Sequence, residues 1–255
     1  MSEIEVYPDL NRLAQAAAQH ILQIARQAIA RGGNFNLVLS GGSTPRPVYE
    51  LLSHEKTSLD WAMVNVFWGD ERCLSPDHAE SNYRMVRETL LDNLPIPKGQ
   101  VYRIRGEAPP DWAAERYEQD LHAFFAQPAL LGDRRSETDS PAFDLILLGM
   151  GDDGHIASLF PGSPALEETQ RWVVAVAHDQ PPPPLVPRIT MTLPVINAAK
   201  HVFFLVSGES KAERLAEVIS GQKTRWLPAA RVQPRSGNLV WLLDDAAAFR
   251  ISDKM

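Results

Sequence analysis

One cysteine in 255 residues, Cys73, leaves the chain without a partner for an internal disulfide. A fold of this length then rests on its hydrophobic core, and a free thiol fits a reducing, cytoplasmic setting. Long apolar runs are also missing. Nothing approaches the ~20 residues that cross a bilayer, and the charged opening from Met1 to Leu10 has no apolar stretch of the kind a secretory signal needs. Basic charge is in deficit. Lys and Arg number 25 against 32 Asp and Glu, a formal net charge of -7, which argues against nucleic acid as the main partner. A small anion remains possible, because a local cluster of donors outweighs an average charge. Two catalytic signatures are absent as well. No G-x-S-x-G elbow offers a serine nucleophile, and no G-K-[ST] marks a nucleotide P-loop. Cys73 has no histidine or second cysteine close in sequence to activate it, so it reads as a bystander.

What is present is an ordinary globular composition, 44% apolar, expected to fold as one domain over residues 1–255. Leu10, Leu13, Ala17, Ile21, Ile24 and Ala28 recur at three and four residues, so Asp9 to Arg31 reads as a helix that Gly32-Gly33 ends. Short apolar runs read as strands at Asn36–Leu39, Val64–Trp68, Leu145–Met150, Val173–Val176, Ile189–Leu193, Val202–Val206 and Leu239–Leu243. Helices are expected from Pro45, over Arg84–Asn93 and Asp111–Phe125, and over Ser210–Ile219. The polar, proline-bounded stretch from Gln127 to Pro141 reads as an exposed loop, and Pro181 to Pro184 as a rigid approach to the next strand. Strands alternating with helices predict an α/β fold, a mostly parallel sheet covered on both faces.

Four of the strands end in unusual residues. The most informative follows Leu145–Met150: Gly151-Asp152-Asp153-Gly154-His155, the one histidine of seven placed where a buried strand meets the next element. Histidine exchanges protons near neutral pH, and open α/β sheets put ligands at such strand ends. Other readings of this turn stay open. Gly149, Gly151 and Gly154 spell the dinucleotide fingerprint, but Asp152 and Asp153 would face the pyrophosphate, and Pro161-Gly162 cuts the required helix short. A metal lacks a second histidine at ligand spacing from His155. A histidine that only shapes a tight turn is the plain alternative. After Leu39 comes Ser40-Gly41-Gly42-Ser43-Thr44. Its glycines let backbone N–H groups approach a ligand, its hydroxyls add donors, and the next helix begins there, which suits a monophosphate. A simple cap and turn is the rival. After Trp68 comes Gly69-Asp70-Glu71-Arg72, with Asn82 further on; surface ion pairs are the competing reading. After Val206 comes Ser207-Gly208-Glu209-Ser210-Lys211, where a lysine in a first helical turn is unfavourable unless an anion binds. Arg188 opens its own strand after Pro187.

Together, SGGSTP, FWGDERCLSPDHAESNYRM, DLILLGMGDDGHIASLFPG, PRITMTLP and SGESKAE resemble the 6-phosphogluconolactonase family, grouped with the glucosamine-6-phosphate isomerase/deaminases. The resemblance runs from the first helix to the last strand. It implies a single three-layer α/β/α domain of modified Rossmann-like topology, with no nucleotide or metal cofactor. It implies hydrolysis of 6-phospho-D-glucono-1,5-lactone to 6-phosphogluconate in the oxidative pentose phosphate pathway. The partner implied is a phosphorylated sugar lactone, with no nucleic acid or membrane and a monomer or weak homo-oligomer. By the same resemblance His155 is the general base and Asp153 its companion. Gly42, Ser43, Thr44, Arg188 and Lys211 match phosphate positions, Gly41 and Asn82 the substrate site, and Asp70 with Arg72 an acidic-basic pair at its edge. Asp152 takes no role. A sugar-phosphate isomerase/deaminase and a non-catalytic sugar-phosphate sensor stay as rivals. The deaminase group has tyrosine where this chain has Arg72, and N-E-P where it has Ser158-Leu159-Phe160-Pro161.

Overall fold

The computed structural model describes residues 2–126, 141–179, 182–221 and 226–251. The expected loop from Gln127 lies outside the described residues apart from Pro141, as does Pro181 of the proline run. In chain order the strands are β1 (Glu3–Tyr7), β2 (Phe35–Leu39), β3 (Val64–Trp68), β4 (Asp70–Arg72), β5 (Val101–Tyr102), β6 (Leu145–Leu148), β7 (Val173–Val176), β8 (Arg188–Met191), β9 (His201–Val206) and β10 (Asn238–Asp244). The α-helices are α1 (Leu10–Ala30), α2 (Arg46–Ser53), α3 (Asn82–Thr89), α4 (Pro110–Phe125), α5 (Leu193–Ile196), α6 (Ala212–Ser220) and α7 (Asp245–Ala248).

Seven strands form one open, wholly parallel sheet in the order β1-β10-β9-β6-β2-β3-β5. Helices cover both faces, as the alternating pattern predicted. Every residue of β2, β3 and β6 is buried, which is why these strands read as continuous apolar runs. From β2 the chain steps outward to β3 and β5, then returns to lay β6 on the other side of β2. Strand order reverses there, so a crevice opens between the carboxyl ends of β2 and β6. Helix α1 starts at Asp9, whose carboxylate accepts from Arg12 N at 2.8 Å. It buries Leu13, Ala14, Ala17, Ala18, Ile21, Leu22 and Ala25, the small residues letting the helix lie close to the strands.

Two buried tyrosines fix the ends of the central strands. Tyr49 Oη donates to Ser40 O at 2.8 Å and accepts from Ser40 N at 3.0 Å. Tyr117 does the same for Trp68, with both distances 3.0 Å. Each hydroxyl satisfies a backbone pair that the parallel ladder leaves open where the strand runs out.

The sheet departs from expectation on its flanks. Strand β1 completes one edge and β5 the other, and neither was expected from the sequence. The alternation of Glu3, Ile4, Glu5 and Val6 was present but short, and its glutamates suit an edge that must not recruit another chain. More consequential, β7 and β8 do not join the parallel sheet. With β4 they form a separate antiparallel sheet, order β4-β8-β7. Apolar runs do not state their partner's direction. Gly69 alone separates β3 from β4, and its carbonyl accepts from Met191 N at 2.8 Å, sealing the small sheet onto the end of the large one. The helix expected over Arg84–Asn93 is α3 followed by a 3₁₀ turn at Leu91–Asn93. The helix expected from Ser210 begins as a 3₁₀ turn, Glu209–Lys211, before α6. None of the described helices is long and apolar enough to cross a membrane.

Candidate active site

Because β2, β3, β6 and β9 are parallel, their four unusual sequels emerge at the same edge of the sheet, around the crevice. After β6 the backbone closes a tight turn. Gly154 N donates to Gly151 O at 3.0 Å, and Gly151 N to His155 O at 2.9 Å. Asp153 Oδ1 accepts from His155 N at 3.0 Å and lies 2.6 Å from His155 Nδ1. Burial opposes the charge on Asp153, but the hydrogen bonds from the His155 ring and backbone hold its carboxyl below the usual carboxylate range. An ionised Asp153 places the imidazole proton on Nδ1 and leaves the Nε2 lone pair free. The Phe160 ring lies 4.8 Å from the imidazole, centroid to centroid.

Gly151 makes this arrangement possible. A Cβ on it would stand 2.1 Å from His155 Nδ1 and 2.6 Å from Asp153 Oδ1. Gly151→Ala is therefore expected to push the ring off Asp153 and lower turnover by about 10²-fold, the scale of an ångström misplacement of a reacting group. A rate assay beside a melting curve checks this; a folded variant with wild-type turnover would show that the ring has room to move.

The Gly69-Asp70-Glu71-Arg72 stretch divides into different tasks. Asp70 is 6% exposed. Its Oδ2 accepts from Ser158 Oγ at 2.6 Å, and its Oδ1 from Asn82 Nδ2 at 3.3 Å. Asn82 Nδ2 also donates to Asp70 O at 3.0 Å, and a Cβ on Gly41 would fall 1.8 Å from Asn82 Oδ1. Asp70, Asn82, Gly41 and Ser158 thus join the ends of β2, β3 and β6 in one buried cluster. Glu71 caps α3. Its carboxylate accepts from Asn82 N at 2.8 Å, Tyr83 N at 2.7 Å, Ser81 Oγ at 3.2 Å and Arg72 N at 2.8 Å. Burial pushes the Glu71 carboxyl upward, and those backbone donors pull it back. Glu71→Gln would turn an NH₂ toward donors only, so a loss of about 1–3 kcal/mol is expected in denaturant unfolding. Unchanged stability would mean that the cluster readily rearranges.

The arginines carry the site's strongest electrostatic signal. Arg72 and Arg188 stand directly opposite each other across β4 and β8, where like charges oppose pairing. Arg188 is 3% exposed. Burial first, and the charge of Arg72 second, lower its affinity for its proton. Arg188 Nη2 donates to Pro184 O at 2.7 Å, and Arg72 Nη1 to Glu80 O at 2.6 Å. The Nε of both is buried with no acceptor among the described residues. Two facing cations with orphaned donors are what an anion would relieve. On the β2 side, Gly42 turns at φ +102° and Ser43 is exposed. Helix α2 follows with no side-chain cap on its first amides. Lys211 Nζ lies 2.6 Å from Asp152 Oδ1, which also accepts from Ser210 Oγ at 2.9 Å. The Lys211 ammonium holds Asp152 below the usual carboxylate range.

All the expected site residues lie at or beside these strand ends. Asp70 and Asn82 are buried and occupied by one another, whereas His155 and Lys211 are half-buried and Ser43 is exposed. The sequence reading did not foresee Ser158 on Asp70, the capping by Glu71, Phe160 against His155, or Asp152 on Lys211. Ser158 and Phe160 stood in the quoted motif, but their partners lie far away in the chain. Among the described residues no group of three or more His, Cys, Asp or Glu is placed to hold a metal ion.

An open parallel sheet with a His–Asp pair at its strand ends, and facing arginines in the small antiparallel sheet joined to it, defines a Rossmann-like α/β protein with a crevice at the switch point. The chain belongs to the glucosamine-6-phosphate isomerase/6-phosphogluconolactonase family, whose profile matches residues 8–241. It is 40% identical to a 6-phosphogluconolactonase from a Synechocystis species over 96% of both chains, and 40% identical to one from a Nostoc species over 98% of both. Among solved structures, the 6-phosphogluconolactonase of Trypanosoma brucei superposes with a TM-score of 0.87 at 28% identity, covering 98% of this chain and 99% of that one. A monomeric glucosamine-6-phosphate deaminase, 21% identical with a TM-score of 0.78, shares the fold.

Proposed function

We propose that this chain hydrolyses 6-phospho-D-glucono-1,5-lactone to 6-phospho-D-gluconate, the lactone-opening step of the oxidative pentose phosphate pathway. The curated relatives named 6-phosphogluconolactonase, matched across nearly the whole chain, support the activity. One observation carries the mechanism: the 2.6 Å contact of His155 Nδ1 with an ionised Asp153, which leaves Nε2 as a base at the crevice.

His155 Nε2 takes a proton from water as the water oxygen attacks C1. Negative charge moves onto the carbonyl oxygen, where Arg72 and the amides of the glycine turn are the available donors. The imidazolium then returns its proton to the ring oxygen as the C1–O bond breaks. Arg188, Lys211 and the Gly42–Thr44 turn hold the phosphate, so that C1 meets the water in a fixed geometry. Asp70 serves this site as a buried clamp with Ser158 and Asn82, rather than as an acid or base. No metal takes part in this proposal, and the working form is cytoplasmic and a monomer or weak homo-oligomer.

The test is purified protein added to freshly generated lactone with a chelator present, with acid release followed against the spontaneous rate. Faster acid release is expected. Ammonia release from glucosamine 6-phosphate, with no acceleration of lactone opening, would assign the deaminase activity instead.

A further inference from the structure

Asp153 anchors the His155 ring at a single point. The backbone N and the ring Nδ1 of His155 lie on the same oxygen, Asp153 Oδ1, at 3.0 Å and 2.6 Å. A ring held at one atom keeps its tautomer but can still tilt about that atom, so the direction of Nε2 needs a second support. Phe160 is placed to give it. Its ring centre lies 4.8 Å from that of the imidazole, with 47° between the planes, inside the range of favourable aromatic pairs, roughly 4.5–7 Å. Phe160 and Asp153 also line a cavity of about 490 Å³ that His155 does not line. These two side chains therefore stand between the imidazole and open space.

The local chain brings Phe160 to this place. Leu159 N donates to Ile156 O at 2.8 Å, and Ile156 N to Leu159 O at 3.3 Å. The hairpin so closed makes His155 and Phe160 the next pair outward, where side chains on facing strands come closest. Its second residue, Ala157, sits at φ +45°, a left-handed conformation that is unfavourable for any residue with a Cβ. Ser158 holds the turn in that shape. Its Oγ donates to Asp70 Oδ2 at 2.6 Å and its N to Thr190 Oγ1 at 3.2 Å. His178, two residues beyond β7, covers the Phe160 ring in turn. The two rings stack at 4.2 Å with 13° between them. His178 is buried, and its Nε2 donates to Pro182 O at 2.6 Å, since a carbonyl only accepts. Phe160 is thus backed by a ring that is itself tied to the backbone.

We propose that Phe160 is the positioning residue that aims His155 Nε2 into the crevice, with His178 as its support. This rests on the reading of His155 as the base, but the hold on the ring can be measured without a substrate.

The experiment follows His155 by NMR in the full chain, labelled at its histidine nitrogens, beside steady-state rates on freshly generated lactone. The Nδ1 proton bonded to Asp153 should give a sharp low-field resonance in the wild type, assigned by its loss in His155→Asn. In Phe160→Leu that resonance should broaden or vanish. There kcat should fall by about ten- to a hundred-fold, approaching the scale of an ångström misplacement of a reacting group. KM should hardly change, because the anion cluster is untouched. Phe160→Tyr, which restores a ring, should recover most of the loss, and His178→Leu should move both readouts the same way but less. A folded Phe160→Leu protein with the wild-type resonance and kcat would overturn the proposal. So would a raised KM at unchanged kcat, because Phe160 would then serve the substrate and not the base. Should Phe160→Leu not fold, His178→Leu decides by the same two readouts. A wild type that opens no lactone would reject the activity. The resonance would then decide alone: its loss in Phe160→Leu and return in Phe160→Tyr keep the positioning role, and no change rejects it.

Discussion

His155→Asn is expected to lower turnover by about 10²–10⁴-fold, the usual contribution of a positioned base, while leaving the fold and the substrate affinity nearly intact. The side chain supports this expectation. It is one-fifth exposed, its ring contacts the Asp153 carboxylate, and the turn is closed by backbone bonds that do not involve the ring. Asparagine keeps a polar group toward Asp153 but offers no lone pair of comparable basicity in place of Nε2. Against the effect of its burial, the hydrogen bonds from His155 hold the Asp153 carboxyl below the usual carboxylate range. The sign for stability follows from the same lowering. Ionised Asp153 contributes stability that is present above the unfolded carboxylate range and is lost as pH falls through the lower folded value. The lactone opens spontaneously in base, so each rate needs its uncatalysed counterpart subtracted. A folded His155→Asn protein with the wild-type rate would remove His155 from the mechanism. Asp70 would be a poor replacement, because Ser158 and Asn82 already occupy its two oxygens.

Arg188→Ala and Lys211→Ala are expected to weaken the phosphorylated substrate by about ten- to a hundred-fold each, from roughly 1.5–3 kcal/mol per charged hydrogen bond. Unphosphorylated gluconolactone should lose much less. The two variants differ in their structural cost. Lys211 contacts the exposed Asp152, so its removal frees one surface carboxylate. Arg188 is buried and holds Pro184 O, so its loss also disturbs the approach to β8. Arg188→Lys separates these effects, because it keeps the charge but not the planar fork. A second reading comes from stability. Inorganic phosphate should raise the melting temperature of the wild type by relieving the facing Arg72 and Arg188, as any ligand of the folded state does. It should do so far less in Arg188→Ala. Equal catalytic losses on both lactones, with phosphate protection unchanged, would show that Arg188 supports the fold and not the anion.

The sequence by itself determined the α/β class, the helix over α1, the buried strands β2, β3, β6 and β9, and the residues at their carboxyl ends. Each of these depends on a short-range signal. Period and continuity mark a helix stripe or a buried strand within ten or twenty residues, and Gly151-Asp152-Asp153-Gly154-His155 is unusual enough to be seen alone. The Asp153–His155 contact belongs to the same class, since it spans two residues of one turn.

What only the tertiary structure decided involves partners far apart in the chain. Ser158 reaches Asp70 across 88 residues, and β8 brings Arg188 against Arg72. Nothing in PRITM states whether its strand runs parallel or antiparallel, or that it joins a second sheet, because an apolar run fixes burial and not direction. Asp70 read as half of an acidic-basic pair with Arg72 at the edge of the site; the fold buries it against Ser158 and Asn82 and sets the neighbouring Glu71 carboxylate on the first amides of α3. Residue types supply the available charges, but the folded chain sets which of them face solvent, a neighbour or a ligand, because desolvation and pairing depend on contacts that exist only after the sheets assemble.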